Sequence, residues 1–208
     1  MHKFFKVILV LVGLMFLSAC LSYNQNIDEP VIIFFMADYP HYNSIEHLAS
    51  HATEVVRVEV LDERIEMINS WSSPTNELED TGGGTTETYD MFTVYRIKVL
   101  EVFQGDVSIG DILEVRQMGG QSDDLIVINL DRTPLVVGDD LVLFILSFDI
   151  EDLPSVLLNP RQSAYRFTPT NEDARVRNVN DTLESLYAEN DLVLTLSDLA
   201  LIVESNNN

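Results

Sequence analysis

Two histidines stand four residues apart in the segment EHLASH, and they are the first candidate for metal binding. On a helix, His47 and His51 would lie one turn apart, a spacing that can hold a zinc ion between two imidazoles. The segment lacks the His-Glu-x-x-His order of zinc proteases, and a third ligand could only be His41 or a carboxylate. The apolar residues of the same helix fall on its opposite side, which favours two solvent-facing histidines. We therefore predict no metal and no cofactor.

A cluster of polar residues and glycines stands where two predicted strands meet irregular segments. The stretch VRQMGG places Gln117, in the inward phase of its strand, beside Arg116 and before Gly119 and Gly120, and NPRQSAY contains Arg161-Gln162. This cluster could bind a ligand, or it could satisfy backbone groups at one end of the fold. Buried amides are usually hydrogen-bonded for packing reasons, which favours the structural role. In both cases we predict that Gln117 and Arg161 lie near each other.

Patterns that would mark an enzyme are weak. Acidic pairs occur at residues 123–124, 139–140 and 151–152, without the spacing of a calcium loop or another diagnostic arrangement. No Gly-x-Ser-x-Gly nucleophile elbow is present. Because catalytic triads are assembled in space, the sequence leaves catalysis open without supporting it.

The only cysteine of the chain closes an apolar run near the amino terminus. Residues 2–6 are basic and residues 7–17 carry no charge, which is typical of an export signal. The run is shorter than the roughly 20 apolar residues that cross a bilayer. Residues 17–20, LSAC, resemble the lipobox of bacterial lipoproteins. That resemblance implies cleavage before Cys20 and a diacylglyceryl group on its thiol.

Lipidation would make Cys20 an attachment point and place the mature protein on the extracytoplasmic face of the cell membrane. Two acyl chains anchor a protein stably, whereas a single chain binds marginally. Removing residues 1–19 removes Lys3 and Lys6 but no acidic residue, so the net charge changes from −22 to −24. This charge argues against nucleic acid as a partner and against direct docking on anionic lipid. The predicted partners are the membrane, through the lipid, and an envelope protein.

The remaining chain divides into a short tether and one domain. Residues 20–30 are polar and predict a tether, and residues 31–204 have the composition of a single globular domain. Residues 70–89, rich in glycine and threonine, predict a long polar loop, and residues 205–208 a frayed tail.

Alternating residues in the middle of the chain predict strands with one buried face. The last strand, within SAYRF, would have Tyr165 and Phe167 in phase. Residues 141–148 are apolar without alternation, which predicts a strand covered on both faces. The inward residues of the alternating strands would be Val56, Val58, Val60, Tyr95, Ile97, Val99, Leu113 and Val115, with Arg116 among the outward ones.

Helices are predicted early and late, with a buried strand before the first of them. Residues 31–36 are continuously apolar and predict that strand. Ser44 would cap a helix ending near His51, whose apolar face is Ile45, Leu48, Ala49 and Ala52. Residues 181–184 and 195–198 have capping-box spacing, and the second box would begin a helix through Glu204.

These elements predict an α+β fold with a small curved antiparallel sheet or a partly closed, OB-like barrel, an early short helix and one or two C-terminal helices. Residues 50–170 are similar in order and spacing to uncharacterised bacterial surface proteins that resemble the OB-type barrel of netrin-like and metalloproteinase-inhibitor domains. Those inhibitors chelate zinc with a free amino-terminal cysteine, whereas Cys20 would be lipidated. We therefore expect a binding or interaction module; an enzyme acting on envelope material and a purely structural lipoprotein are the alternatives.

Overall fold

A computed structural model describes residues 29–69, 89–150, 152–167 and 181–206 of the chain. The predicted signal peptide, Cys20, most of the tether and loop residues 70–88 lie outside the described residues. In chain order the elements are β1 (Val31–Phe35), α1 (Ile45–His51), β2 (Glu54–Asn69), β3 (Tyr89–Gln104), β4 (Ile112–Met118), β5 (Gly120–Gln121), β6 (Leu125–Asn129), β7 (Asp140–Leu146), β8 (Ser155–Leu157), β9 (Ala164–Arg166), β10 (Thr182–Ser185), β11 (Leu194–Thr195) and α2 (Leu196–Asn206).

The larger sheet has eight strands in the order β11-β10-β9-β7-β2-β3-β4-β8. Its β8 pairs in parallel with β4 and antiparallel with β7, so that β7, β2, β3, β4 and β8 form a ring. Strand β9 pairs with the same edge of β7 as β8 does, further towards the start of β7, and β10 and β11 extend the sheet from β9. The α+β class is therefore confirmed, but the sheet is mixed and only partly ringed. The predicted alternatives, a small curved antiparallel sheet or a partly closed OB-like barrel, differ from this structure in two respects. Strand β8 runs parallel to β4, and three strands of the sheet lie outside the ring.

The interior of the ring is filled by the inward side chains that the alternation predicted. Val56, Val58 and Val60 of β2 pack with Tyr95, Ile97 and Val99 of β3, and all six are buried. Burial of these β-branched and aromatic side chains excludes water from the ring. Val115 of β4 is also buried there, and Leu113 packs against the cluster in a partly buried position.

The opposite face of β2 and β7 is covered by the two helices. Leu48 of α1 and Leu199 and Ile202 of α2 pack with Val55 of β2 and Phe144 of β7. Residues of β7 therefore face a buried cluster on each side, which confirms the strand predicted to be covered on both faces. The apolar face predicted for α1 is buried in full.

Local capping fixes where both helices begin. The Ser44 hydroxyl accepts a hydrogen bond from the His47 backbone N–H at 3.1 Å, which confirms the predicted N-cap. Thr195 and Asp198 exchange two hydrogen bonds, from the Thr195 N–H to the Asp198 carboxylate and from the Asp198 N–H to the Thr195 hydroxyl. This is the predicted capping box, and α2 continues beyond Glu204 to Asn206.

The other capping pattern does not start a helix. Residues 182–185 form β10, whose Glu184 and Ser185 pair with Arg166 and Tyr165 of β9. Pairing along the edge of the large sheet satisfies these backbone groups, and it overrides the local capping signal. Of the one or two C-terminal helices predicted, the described residues therefore contain one, the helix that begins at the second capping box.

A second sheet of three strands has the order β1-β6-β5. The strand predicted at residues 31–36 exists as β1, but its predicted burial is wrong, since Val31 is 61% exposed and Phe34 66% exposed. Within the described residues, β1 pairs along one edge only, with β6 in parallel. The continuously apolar segment that was predicted as a buried strand is therefore an exposed strand at the edge of the three-stranded sheet. None of the helices in the described part of the chain has the length and apolar character to cross a membrane.

Candidate functional site

A cavity of about 560 Å³ lies where the end of β4 meets the segment that connects β1 to α1. We call this segment, residues 36–43, the strap, and the space the arginine cavity. Its volume falls in the range of about 300–1,000 Å³ that small-molecule sites occupy. Its apolar and aromatic lining residues are Phe35, Tyr39, Pro40, Tyr42, Phe92, Met118, Leu146, Val156, Leu157, Leu158 and Pro160. Its other lining residues are His51, Arg116, Gln117, Asn129 and Arg132.

Strand β4 turns Arg116 into this cavity. Successive side chains of a strand point to opposite faces, so Arg116 lies on the face away from Val115 and the interior of the ring. There it is in register with Val94 of β3 and Val156 of β8. The guanidinium carbon lies 5.0 Å from the ring centre of Phe92 and 5.7 Å from that of Phe148. Both rings are close enough for a cation–π attraction.

The guanidinium of Arg116 has no hydrogen-bonding partner among the described residues. The residue is 7% exposed, and its buried Nε and Nη1 atoms meet no acceptor. Burial lowers the pKa of Arg116 below its ordinary value because desolvation disfavours the charged form. Arg116 therefore lies on the outward face of β4, as the alternation predicted, but this face is buried and not solvated. A buried polar group without a partner calls for a specific explanation.

Gln117 is satisfied by the segment that follows β6. Its side-chain Nε2 donates to the Thr133 carbonyl at 3.2 Å, and its Oε1 accepts from Arg132 Nε at 3.1 Å. Arg132 also donates to the Tyr95 hydroxyl, which belongs to the interior of the ring. Gln117 thus joins residues 132–133 to the end of the ring.

Arg161 and Gln162 hold neighbouring parts of the same region. Arg161 forms an ion pair with Asp131, which is 1% exposed and also accepts from the Ala37 backbone N–H at 3.0 Å. Gln162 accepts from the Tyr42 N–H and donates to the Tyr42 carbonyl, each at 3.0 Å. Both interactions fasten the strap to the body of the fold.

The structure connects the two halves of the sequence-predicted cluster through consecutive residues. Gln117 is bonded by Arg132, and Arg161 pairs with the adjacent Asp131. Gln117 lines the arginine cavity, whereas Arg161 and Gln162 line a more open hollow of about 830 Å³. That hollow is acidic, because its lining includes Asp38, Glu189 and Asp191.

The paired glycines shape the turn after β4. Gly119 is buried with φ +110°, and its N–H donates to the Met91 carbonyl at 2.8 Å. Its own carbonyl accepts from the Thr93 hydroxyl at 2.8 Å. Gly120 begins β5 and lies against Ile65 and Met91. Neither glycine lines the arginine cavity.

The two histidines pack on an aromatic ring of the strap. Tyr42 lies 5.3 Å from His47 and 5.5 Å from His51 between ring centres, and the two histidine rings are 4.8 Å apart. Among the described residues, no group of three or more His, Cys, Asp or Glu side chains is arranged to hold a metal ion. The sequence offered no signal for the roles of Tyr39, Asp131 and Arg132, because chain segments far apart in sequence bring them to the site.

Comparisons with protein-family models, with curated proteins and with solved structures find no match to this chain. The function must therefore be inferred from the site itself.

Proposed function

We propose that the protein is a membrane-anchored, extracytoplasmic lipoprotein that binds a small molecule in the arginine cavity. The observation that carries this proposal is the cavity, which combines an apolar lining with a buried arginine that has no hydrogen-bonding partner among the described residues. Small-molecule sites are typically concave and apolar, with a few polar groups that orient the ligand. A purely structural lipoprotein has no need for an unpaired buried charge, which lowers stability.

The lining favours binding over catalysis. Among the described lining residues there is no carboxylate, serine, threonine, cysteine or lysine. Arg116 keeps its proton at all ordinary pH values, and amides such as Gln117 and Asn129 do not exchange protons in catalysis. The imidazole of the lining, His51, is bonded through Nδ1 to the His47 carbonyl at 3.0 Å and has no carboxylate beside it in the lining. These groups recognise a ligand by charge and hydrogen bonding.

Anchoring is inferred from the LSAC motif at residues 17–20. A chain of eleven residues reaches at most roughly 40 Å, so β1 would begin within that distance of a lipid on Cys20. The acidic domain would then stand near the membrane and be repelled from anionic headgroups. An envelope protein that delivers or receives the ligand fits this placement.

Binding can be tested by looking for a small molecule that copurifies with the protein. We expect native mass spectrometry of the full chain, extracted from membranes in mild detergent, to detect a non-covalent adduct in the wild type. Val156→Phe should abolish the adduct because the larger ring fills the cavity. Val136→Phe is the matched control, since Val136 is 57% exposed and does not line the cavity. An adduct that persists in Val156→Phe, or a wild type that carries none and binds no compound of a small-molecule library, would overturn the proposal.

Anchoring can be tested separately. Cys20→Ser removes the only thiol of the chain, so the protein should remain unmodified and be released or unprocessed. Fractionation and mass spectrometry of the amino terminus measure both outcomes. Ser18→Ala keeps a small residue before the cysteine and should be lipidated normally. Processed, membrane-anchored protein in the Cys20→Ser variant would rule out the lipoprotein assignment.

A further inference from the structure

The distribution of ion pairs singles out Arg116. Seven arginines lie in the described part of the chain, and five of them form ion pairs with acidic residues. Arg132 is bonded to Gln117 and to the Tyr95 hydroxyl. Arg116 is the exception, although it is the most buried of the seven. The chain has 34 acidic residues, and yet none of those that the structure describes pairs with its most buried described arginine.

The aromatic neighbours do not replace that partner. Phe92 and Phe148 attract the positive charge through their ring faces. Ring faces are nevertheless poor acceptors for N–H groups compared with a carboxylate. The guanidinium therefore keeps unused donors at the wall of an apolar cavity.

The chemistry that completes this site is a carboxylate on an apolar body. A planar guanidinium matches the two oxygens of a carboxylate with parallel N–H···O bonds, and a desolvated pair of this kind is strong. The other walls include Tyr39, Phe92, Met118 and Leu157, which favour hydrocarbon. A single anionic group suits the site because Arg132, the other cation of the lining, is already bonded to Gln117 and Tyr95.

We propose that the arginine cavity binds an apolar carboxylic acid, with the carboxylate on Arg116 and the hydrocarbon against the aromatic and aliphatic walls. This inference rests on the proposed function of the cavity and assigns its ligand class. The unpaired charge of Arg116 lowers the stability of the ligand-free protein, and the carboxylate of the ligand neutralises this charge. Functional groups that lower stability in the free protein are common at binding sites.

The test compares ligands that differ only in their head group. The full chain, reconstituted in phosphatidylcholine nanodiscs, is titrated by calorimetry with octanoate, octanol, octylamine and octyl phosphate, with empty nanodiscs as the reference. We expect octanoate to bind about 10- to 100-fold more tightly than octanol, which is the range given by a charge-assisted hydrogen bond. Octylamine should not bind, because its charge would face Arg116.

Two variants separate charge recognition from structure. Arg116→Met should remove the preference for octanoate over octanol and leave octanol binding in place. The same variant should melt at an equal or higher temperature without ligand, since it removes an unpaired buried charge. Arg96→Met is the matched control because Arg96 is 45% exposed and paired with Asp62, and it should keep the wild-type preference.

Each outcome decides the assignment. Equal binding of octanoate and octanol, or a preference for octanoate that survives in Arg116→Met, overturns the carboxylate assignment and leaves the binding function standing. Tighter binding of octyl phosphate also overturns it, in favour of a phosphate ligand. If none of the four compounds binds, the carboxylate assignment fails, and the copurification experiment then decides whether the cavity binds a different ligand.

Discussion

Replacing Gly119 with alanine should destabilise the protein by about 2–5 kcal/mol. The φ angle of +110° at this position is one that L-residues with a side chain rarely adopt. A Cβ atom would also lie 2.9 Å from the carbonyl oxygen of Val127 in β6, and neither backbone can shift without breaking the sheets. The loss should appear as a lower midpoint of urea unfolding followed by circular dichroism.

Gly110→Ala is the matched control for this variant. Gly110 also has a positive φ, +95°, but an added Cβ would meet no atom within 4 Å. Only the backbone strain of about 1–3 kcal/mol should therefore remain. If the two variants unfold at the same denaturant concentration, the close approach of β6 to the turn after β4 is wrong.

Replacing Gln117 with leucine should lower the free energy of unfolding by about 1–3 kcal/mol. The side chain is 4% exposed, and its removal leaves the Thr133 carbonyl and Arg132 Nε without a partner. Leucine has nearly the same volume, so the effect reports lost hydrogen bonds and not a new void. Chemical denaturation of both proteins measures the difference.

The control for Gln117 is Gln121→Leu, which lies four residues later in the chain, in β5. Gln121 is exposed, so its replacement should change stability by less than about 0.5 kcal/mol. An unchanged stability in Gln117→Leu would contradict the structural role of this residue. It would instead indicate that the Gln117 amide binds the ligand, and that water hydrogen-bonds to the Thr133 carbonyl and to Arg132 Nε in the variant.

The features that could be predicted from the sequence are those that depend on neighbours along the chain. Alternation in β2 and β3 identified the ring interior, since side-chain direction follows directly from strand geometry. The Ser44 cap and the capping box of Thr195 and Asp198 were also predicted, because their partners lie three residues apart. The apolar face of α1 was predicted from the helical spacing of its residues, and Leu48 on that face is fully buried.

The features that were missed depend on distant pairing. Residues 31–35 pair with β6, which lies almost a hundred residues later in the chain. Their burial depends on what covers this pair of strands, which the local sequence does not show. Residues 182–185 became a strand because β9 offers an edge to pair with. Arg116 was placed outward by alternation, which cannot show that Phe92, Phe148 and the strap cover the outer face of β4.

The candidate site was therefore only partly predictable. The sequence singled out Gln117 and Arg161 because each is a polar residue at a point where a predicted strand meets an irregular segment. It could not show that Asp131 and Arg132 join them, since nothing in residues 129–133 distinguishes that segment from an ordinary polar turn. The cavity itself is formed by segments that are separated by more than a hundred residues.

The closure of the ring through β8 has a kinetic consequence. This strand is three residues long and makes two residue pairs with each neighbour, so it is the seam most easily opened by local fraying. Val156 and Leu157 belong both to this seam and to the wall of the arginine cavity. Under the proposed function, local opening of this one short strand would loosen the cavity wall and speed the exit of a bound molecule, without the global unfolding of the domain.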